Sequence, residues 1–397
     1  NSFCTLLGCA ASAIFTMGNH FAAEVHLDHE VYYPGNVVRG EATISVDKPL
    51  KCIAARIMCR GFERAVVVNH SNEMIYNVFE DTVFYKETLT LFGHTTKDPD
   101  ASPVEIPPGV YTYPFAFQLP MHLPESLHTA NWTSGGAEVK YQVIAYAKLD
   151  KDLVDEGHHD FQVVVPINKR DIVASPPVDA TATVKLTKFF MDKGACDFTV
   201  SLPRSIYAAD DTIEGEIVID NTNGRIAVKN PNVSLRATCE SHVTERQSCV
   251  PGGIRAVSVA KPLATQHVPL SVKPGFTNNL QFKIKLPHTV PHPSYPARGC
   301  HITQVHHVIV GLEGRQVQLP IHIAHCADEE NRFAYCPIED VAHKPDFRDV
   351  EHAYTEPTGY AASPCEVLKP PASLRPQHTP TAKTPQAVGN GQLHADH

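Results

Sequence analysis

The sequence has little of what enzymes, secreted proteins and nucleic-acid-binding proteins need. None of its 11 cysteines stands in a C-x-x-C pair, and their irregular spacing indicates neither a zinc ribbon nor a disulfide framework. An odd cysteine count in a chain of this length is typical of a reducing compartment, so we expect a cytoplasmic protein. The net charge is −9 and no block of clustered Lys and Arg occurs, which argues against nucleic acid as a partner.

The motifs of catalysis and cofactor binding are also missing. The sequence contains no G-x-S-x-G elbow, no catalytic-cysteine signature, no phosphate loop and no dinucleotide-binding glycine fingerprint. Among its 23 histidines, the densest group occupies adjacent or three-apart positions, whose side chains would point to opposite faces of a strand. That group consists of His301, His306, His307, His322, His325 and Cys326. We therefore predict no enzyme activity, no cofactor and no metal site.

Long apolar runs are absent as well. Outside the N-terminal residues 1–16, no stretch approaches the roughly 18 apolar residues of a membrane-spanning helix, so any membrane association is expected to be peripheral. Residues 3–16 are apolar but lack the basic lead-in of a signal peptide, and we interpret residues 1–16 as an extension upstream of Met17. If the chain began at Met17, Gly18 would be open to myristoylation, yet Ala22 stands where that motif requires Ser or Thr.

What the sequence does contain is a long series of strand patterns. From about residue 24 to residue 326, short stretches alternate apolar and polar residues, as in residues 37–46, and Pro, Gly, Asn or Asp separate them. No segment keeps a helical apolar repeat over three turns, and 32 prolines would interrupt long helices. The pattern predicts an all-β protein built from sandwiches.

An internal repeat divides this region into two domains. In residues 32–41 and again in residues 207–216, a Tyr leads through a turn to a Gly-Glu pair and an apolar strand. We predict β-sandwiches over residues 17–167 and 181–327, joined by a linker at residues 168–180 around a Ser-Pro-Pro sequence. Residues 328–397 are rich in Pro and Thr and poor in large aliphatic residues, so this tail is expected to be mostly disordered.

The motifs along these domains resemble those of the arrestin family, in its arrestin-domain-containing or α-arrestin branch. Residues 31–40 (VYYPGNVVRG) are followed by 57–61 (IMCRG), interpreted as a strand ending in glycine, and by 106–120 (IPPGVYTYPFAFQLP). Residues 123–126 (LPES) and 136–141 (GAEVKY) come next. The second domain has residues 207–215 (YAADDTIEG) and 319–323 (LPIHI), although Ala-Ala replaces the family's usual Pro-Gly turn.

The resemblance implies two tandem arrestin-like (immunoglobulin-like) sandwiches and a non-enzymatic adaptor in protein transport and endocytosis. Such an adaptor links membrane-protein cargo tails to ubiquitination or sorting machinery and moves from the cytoplasm to the plasma membrane or endosomes. The tail departs from the family, because it has no Pro-Pro-x-Tyr motif for the WW domains of ubiquitin ligases. Ligases are therefore expected to be reached indirectly, through a partner such as another arrestin-domain protein.

Several residues are candidate sites within this scheme. Arg56 and Arg60 share one face of a strand, and with Arg64 they form either a cationic patch for phosphorylated cargo or a solvated strand face. In the tail, Ser363, Thr379 and Thr384 each precede a proline and are candidate phosphorylation sites, and residues 335–338 (YCPI) fit a tyrosine-based sorting signal. Two alternative functions stay open, a retromer-like sorting coat subunit and a thioredoxin-binding redox regulator that would use a cysteine such as Cys249.

Overall fold

The fold is known from a computed structural model, which describes residues 21–71, 74–96, 102–129, 135–149, 153–259, 261–287, 294, 301–327 and 348–353. Strands fill both halves of the chain, so the predicted all-β class with two tandem sandwiches is confirmed. In these ranges the two helices have five and four residues, and neither could cross a bilayer. Residues 1–16, Met17 and Gly18 lie outside the described residues.

In the described part of residues 21–163, eleven strands form the first domain. They are β1 (Phe21–Leu27), β2 (Val31–Tyr32), β3 (Val37–Val46), β4 (Leu50–Cys52), β5 (Ala54–Ser71), β6 (Met74–Gly93), β7 (Val104–Ile106), β8 (Gly109–Gln118), β9 (Leu127–His128), β10 (Gly135–Lys148) and β11 (Leu153–Val163). One sheet has the order β1-β3-β8. The facing sheet begins β2-β11-β10-β5-β6, with β9 also paired to β10.

The second domain repeats the two-sheet plan. Its elements are β13 (Val178–Lys188), β14 (Met191–Leu202), β15 (Ile206–Ala208), β16 (Thr212–Asp220), β17 (Val228–Lys229), β18 (Asn232–Val243), α2 (Glu245–Ser248), β19 (Ile254–Val259), β20 (Ala264–His267), β21 (Ser271–Val272), β22 (Thr277–Lys285), β23 (Ile302–Leu312) and β24 (Arg315–Ala324). One sheet has the order β13-β14-β16-β22, and the other has the order β15-β24-β23-β18-β19, with β20 on β18.

The glycine of the repeated Gly-Glu pair lies beside a buried phenylalanine in both domains. Gly40 lies opposite Phe115 across β3 and β8, and Gly215 lies opposite Phe282 across β16 and β22. A Cβ atom would come within 2.9 Å of the Phe115 ring at Gly40 and within 2.3 Å of the Phe282 ring at Gly215. Each glycine therefore makes room for a buried phenylalanine at the centre of its sheet.

The glycine of the IMCRG motif also packs against aromatic rings, but it does not end a strand, so that interpretation is wrong. Gly61 lies in the interior of β5, which continues to Ser71. A Cβ atom at Gly61 would approach the rings of Tyr141 and Phe84 to 2.6 and 2.7 Å. These two rings make an edge-to-face contact with centroids 5.7 Å apart in the core of the first domain.

The segment between the domains is more ordered than a free linker. Residues 167–168 form β12 (Ile167–Asn168), which pairs in parallel with β25 (Cys326–Ala327), and α1 (Lys169–Val173) follows at once. Ser175 is buried; its hydroxyl donates to the Ile172 carbonyl at 2.8 Å and accepts from the Ile206 amide at 3.1 Å. These bonds fix the Ser-Pro-Pro sequence against the second domain.

The two domains share part of one core. Cys239, Val243 and Ile302 of the second domain belong to the same buried cluster as the aromatic core of the first. At this contact the hydroxyl groups of Ser241 and Ser258 donate to the carbonyls of Gly136 and Gly135, at 2.8 and 3.1 Å. The apolar contacts and the hydrogen bonds together hold β18 and β19 against β5 and β10.

One segment of the presumed disordered tail is a strand. Residues 348–353 form β26 (Arg348–Ala353), which adds to the free edge of β6 and extends the second sheet of the first domain. The sequence pattern did not single out this ordered segment, which is six residues of a tail expected to be mostly disordered. The remaining residues of the range 328–397 lie outside the described residues.

Candidate functional site

The edge of β6 is the candidate site, because it holds a separate segment of chain by strand addition. β26 runs parallel to β6 with Arg348 opposite Tyr85 and Ala353 opposite Thr90. An edge strand presents backbone amides and carbonyls that can pair with any extended peptide. Backbone pairing of this kind supplies affinity, and the side chains of the added strand supply specificity.

Glu351 anchors the added strand. Its Oε1 atom accepts hydrogen bonds from the Thr90 hydroxyl at 2.8 Å and from the Thr96 amide at 3.1 Å. Its Oε2 atom accepts from the same Thr96 amide at 2.9 Å and also from the Thr96 hydroxyl. The carboxylate thus sits in a pocket of donors at the end of β6, where its side chain is only 8% exposed.

The positive charge of this pocket comes from Arg56. Its side chain is 2% exposed, its Nε atom lies 3.3 Å from Glu351 Oε1 in an ion pair, and its Nη2 atom donates to the His94 carbonyl at 2.9 Å. A bulge between Ala55 and Arg56 sets the arginine opposite Thr90. A buried guanidinium without a counter-charge is strongly destabilising, so Arg56 requires a carboxylate at this place.

The same contacts set the protonation of Glu351. Burial raises the pKa of its carboxyl. The hydrogen bonds from Thr96 and Thr90 and the charge of Arg56 act in the opposite direction and together outweigh burial, so the pKa of Glu351 lies below its usual range. The carboxylate is therefore charged at neutral pH and stays bound as an anion.

Two weaker ion pairs flank the anchor. Lys86 Nζ lies 3.2 Å from Asp349, whose side chain is 72% exposed, and His352 Nε2 lies 3.8 Å from Glu87. The exposed Lys86–Asp349 pair contributes little, since solvent screens it and its side chains lose freedom. Glu87 is only 9% exposed, and its contact with His352 is an ion pair only when the histidine is protonated. Among the side chains of β26, Glu351 therefore makes the most extensive contacts with the β6 edge.

The structure does not bring the three predicted arginines together as an open cationic patch. Arg56 is buried and paired with Glu351, so it is not part of an exposed patch on the strand face. Arg60 donates to Gln142 Oε1 at 3.1 and 2.8 Å, and Arg64 makes a two-pronged contact with Asp81 at 2.7 Å for each bond. Arg60 and Arg64 are paired with neighbours on the outer sheet face, and whether they bind phosphorylated cargo stays a prediction.

The predicted histidine group, Cys249 and the tail phosphorylation sites do not come together in one site within the described residues. No group of metal-ligating side chains occurs within the described ranges. His306 is buried, with its Nδ1 atom 2.8 Å from the Ser294 hydroxyl, and His325 lies 3.2 Å from Glu125. Cys249 is exposed at the end of α2. The tail positions Ser363, Thr379, Thr384 and Tyr335 lie outside the described residues.

Comparison with known proteins identifies both domains. The family model described as arrestin (or S-antigen), N-terminal domain, matches residues 23–170, and the model of the arrestin C-terminal domain matches residues 192–327. Arrestin domain-containing protein 1 from Rattus norvegicus is 25% identical over 200 residues, which are 49% of this chain and 41% of the relative. Its counterpart from Homo sapiens is 25% identical over 214 residues, 53% of this chain and 45% of the relative. The matched region spans less than half the length of either relative.

Proposed function

Because this chain belongs to the arrestin family, in its arrestin-domain-containing (α-arrestin) branch, we propose that it is a non-enzymatic adaptor in intracellular protein transport and endocytosis. It would bind the cytoplasmic tails of membrane proteins and connect them with sorting or ubiquitination machinery. Its proposed location is the cytoplasm, with recruitment to the plasma membrane or endosomes.

The observation that carries this proposal is the capture of β26 at the β6 edge. The edge accepts a short extended peptide in parallel register, and a pocket built from Arg56, Thr90 and Thr96 accepts its carboxylate. A cargo tail that is extended and carries an acidic or phosphorylated residue at the matching position has the same chemistry. The tail segment of this chain would then occupy the site in the absence of cargo.

Competition with a tethered segment sets a requirement on the cargo. A segment linked to the same chain acts at an effective concentration in the millimolar range when the linker is short and flexible. A cargo peptide must overcome this concentration, either by a stronger anion at the Arg56 pocket or by a local excess at a membrane. The proposal therefore predicts that removal of β26 increases cargo affinity.

The test begins by freeing the edge. In a variant whose residues 348–353 are replaced by Gly and Ser, a labelled peptide of residues 346–355 should bind with saturable fluorescence anisotropy, and cargo tails should compete with it. The same peptide carrying D349N serves as the matched control and should bind nearly as well. Absence of peptide binding to a variant that melts like the wild type would contradict the proposal.

Connection to ubiquitin ligases is proposed to be indirect. WW domains bind a polyproline helix whose prolines and tyrosine occupy their subsites at fixed spacing. This tail has no Pro-Pro-x-Tyr motif. Titration of a peptide covering residues 350–376 into an isolated WW domain should give no low-micromolar binding. Tight binding would restore a direct ligase-adaptor role.

A further inference from the structure

The end of β6 and the turn that follows it carry four threonines, which differ in accessibility. Thr88 and Thr90 lie within the strand and are 4% and 6% exposed, and Thr95 is half-buried. Thr96 lies in the turn after the strand and is exposed. Among these four residues, Thr96 is therefore the one that presents its hydroxyl group best to another protein.

The hydroxyl group of Thr96 contacts the carboxylate that anchors β26. It donates to Glu351 Oε2, and the amide of the same threonine donates to Oε1 and Oε2 at 3.1 and 2.9 Å. Arg56 Nε lies 3.3 Å from Oε1 of this carboxylate. A single carboxyl group thus separates the hydroxyl of Thr96 from a buried guanidinium.

A phosphate on Thr96 has the charge and the reach to take the place of this carboxylate. It carries a charge of about −1.5 to −2 at pH 7 and three acceptor oxygens. Each terminal oxygen is two covalent bonds from Thr96 Oγ1, and the Glu351 oxygen that it would replace is now one hydrogen bond from the same atom. The guanidinium and the amide that bind the carboxylate are donors that suit a phosphate as well.

We propose that Thr96 is a phosphorylation site and that its phosphate releases β26 from β6. A protein kinase would transfer the γ-phosphoryl group of ATP to Thr96 Oγ1. The new P–O bond forms as the bond to ADP breaks, and the hydroxyl proton passes to a base of the kinase. The inference rests on the proposed function, since it assigns the regulation of the same β6 edge.

The phosphate and the carboxylate cannot share the pocket. Glu351 is only 8% exposed, so solvent screens little of the repulsion between two anions placed in contact, and Arg56 supplies one positive charge for both. A phosphate beside an acidic side chain disrupts the contact by like-charge repulsion. The phosphate is held covalently, so Glu351 leaves. Arg56 keeps a counter-charge throughout, and the first domain avoids an unpaired buried cation.

Modification and release support one another. While β26 is docked, the hydroxyl of Thr96 is bound to Glu351, and detachment of the strand frees that hydroxyl for a kinase. Phosphorylation then prevents the strand from returning. The sequence after Thr96 reads Lys-Asp-Pro-Asp, and its acidic residues suit a kinase whose substrate groove is basic.

The full chain with phosphothreonine installed at position 96 by genetic-code expansion tests the release. The amides of residues 348–353 should exchange with solvent at least about a hundredfold faster than in the unmodified chain, because a buried ion pair is broken and a like charge is added. Treatment with a phosphatase should restore slow exchange. Phosphothreonine at exposed Thr112 of β8, on the other sheet of the domain, adds the same charge and should leave exchange unchanged.

Phosphorus NMR tests whether the phosphate reaches Arg56. The second pKa of a phosphothreonine, about 6 without neighbours, should be lowered at position 96, since an adjacent guanidinium favours the dianion. Phosphothreonine at position 112 gives the reference titration. In R56M the pKa at position 96 should return toward that reference. The comparison of positions 96 and 112 stands even if R56M does not fold.

Mass spectrometry of the chain expressed in cultured eukaryotic cells tests whether the modification occurs. The tryptic peptide of residues 87–97 should carry a phosphate that fragmentation localises to Thr96. Its occupancy should be higher in E351A, in which the hydroxyl of Thr96 no longer contacts a carboxylate. T96V should lack this phosphate and serves as the control for localisation.

Equal protection of β26 with and without phosphothreonine at position 96 would overturn the proposal. Absence of phosphate on Thr96 in both the wild type and E351A would overturn it as well. An equal loss of protection with phosphothreonine at position 112 would show a general effect of charge and would also contradict a specific site. None of these outcomes changes peptide binding to the variant with residues 348–353 replaced, so this proposal and the proposed function can fail independently.

Discussion

Replacing Glu351 with alanine removes the carboxylate that lies 3.3 Å from Arg56 Nε and accepts hydrogen bonds from Thr90 and Thr96. A hydrogen bond to a charged group contributes about 1.5–3 kcal/mol, and breaking a buried ion pair costs about 3–5 kcal/mol. These contributions are not additive, and detachment of β26 lets water reach Arg56. We therefore expect E351A to weaken docking of β26 by about 3 kcal/mol, roughly a hundredfold in the docking equilibrium.

Hydrogen exchange measures this equilibrium residue by residue. In the wild type, amides of residues 348–353 that donate to β6 should exchange slowly, and in E351A they should exchange roughly a hundredfold faster. D349N removes an exposed ion pair on the same strand and should change exchange by about fivefold or less, since such a pair is worth under about 1 kcal/mol. Equal protection in E351A and the wild type would show that the backbone alone holds the segment.

A double variant that lacks both charges tests whether the Arg56–Glu351 ion pair holds β26 on β6. R56M leaves Glu351 without its cation, and E351A leaves Arg56 without its anion, so each single variant should weaken docking. In R56M/E351M both charges are gone and apolar side chains of similar length face each other, which is often neutral for stability. Docking in R56M/E351M should therefore exceed docking in either single variant. Additive losses would refute the role assigned to the ion pair.

Three further outcomes are expected. F189N/F190G should raise the melting temperature of the second domain by a few degrees, because strain of about 1–3 kcal/mol per residue at positive φ is relieved. The folded-state pKa of Glu351 is lowered, so its contribution to β26 docking is present above its ordinary pKa of 4.5 and is lost as the pH falls below that value, which exchange at stepped pH can follow. Burial raises the pKa of the Cys59 thiol, so a thiol reagent applied to the native protein should label exposed Cys249 and leave Cys59 unlabelled in peptide mass spectra.

The two-domain fold could be predicted because each domain repeats a local physical requirement. Alternation of apolar and polar residues marks strands with one buried face, and the duplicated Gly-Glu pair marks the place where a phenylalanine from the neighbouring strand needs room. Gly61 makes room for aromatic rings in the same way, although the sequence alone predicts a strand end there. A glycine that opens space for Tyr141 and a glycine that ends a strand look alike in one sequence.

The candidate site could be predicted only in part. Alternation correctly indicated that Arg56 and Arg60 share a strand face, but it could not indicate how deeply either is buried. Arg56 is covered because a bulge sets it opposite Thr90 and because β26 lies over the edge. The six residues of β26 have no distinctive periodicity, and their partner strand lies more than 250 residues away in the chain. Local patterns carry no information on a pairing of that separation.

The burial of Arg56 constrains how the β6 edge can exchange one occupant for another. An empty edge would admit water to the guanidinium but would leave the Thr96 amide and the Thr90 hydroxyl without the carboxylate that now accepts from both. These donors and Arg56 are therefore most stable when an acidic group contacts them. Replacement of β26 by another acidic strand is then favoured over dissociation that leaves the β6 edge empty. Any partner that displaces Glu351 must bring its own anion, since a neutral peptide would match the backbone of β6 and still leave Arg56 uncompensated. Selection for an acidic or phosphorylated occupant thus follows from one buried charge.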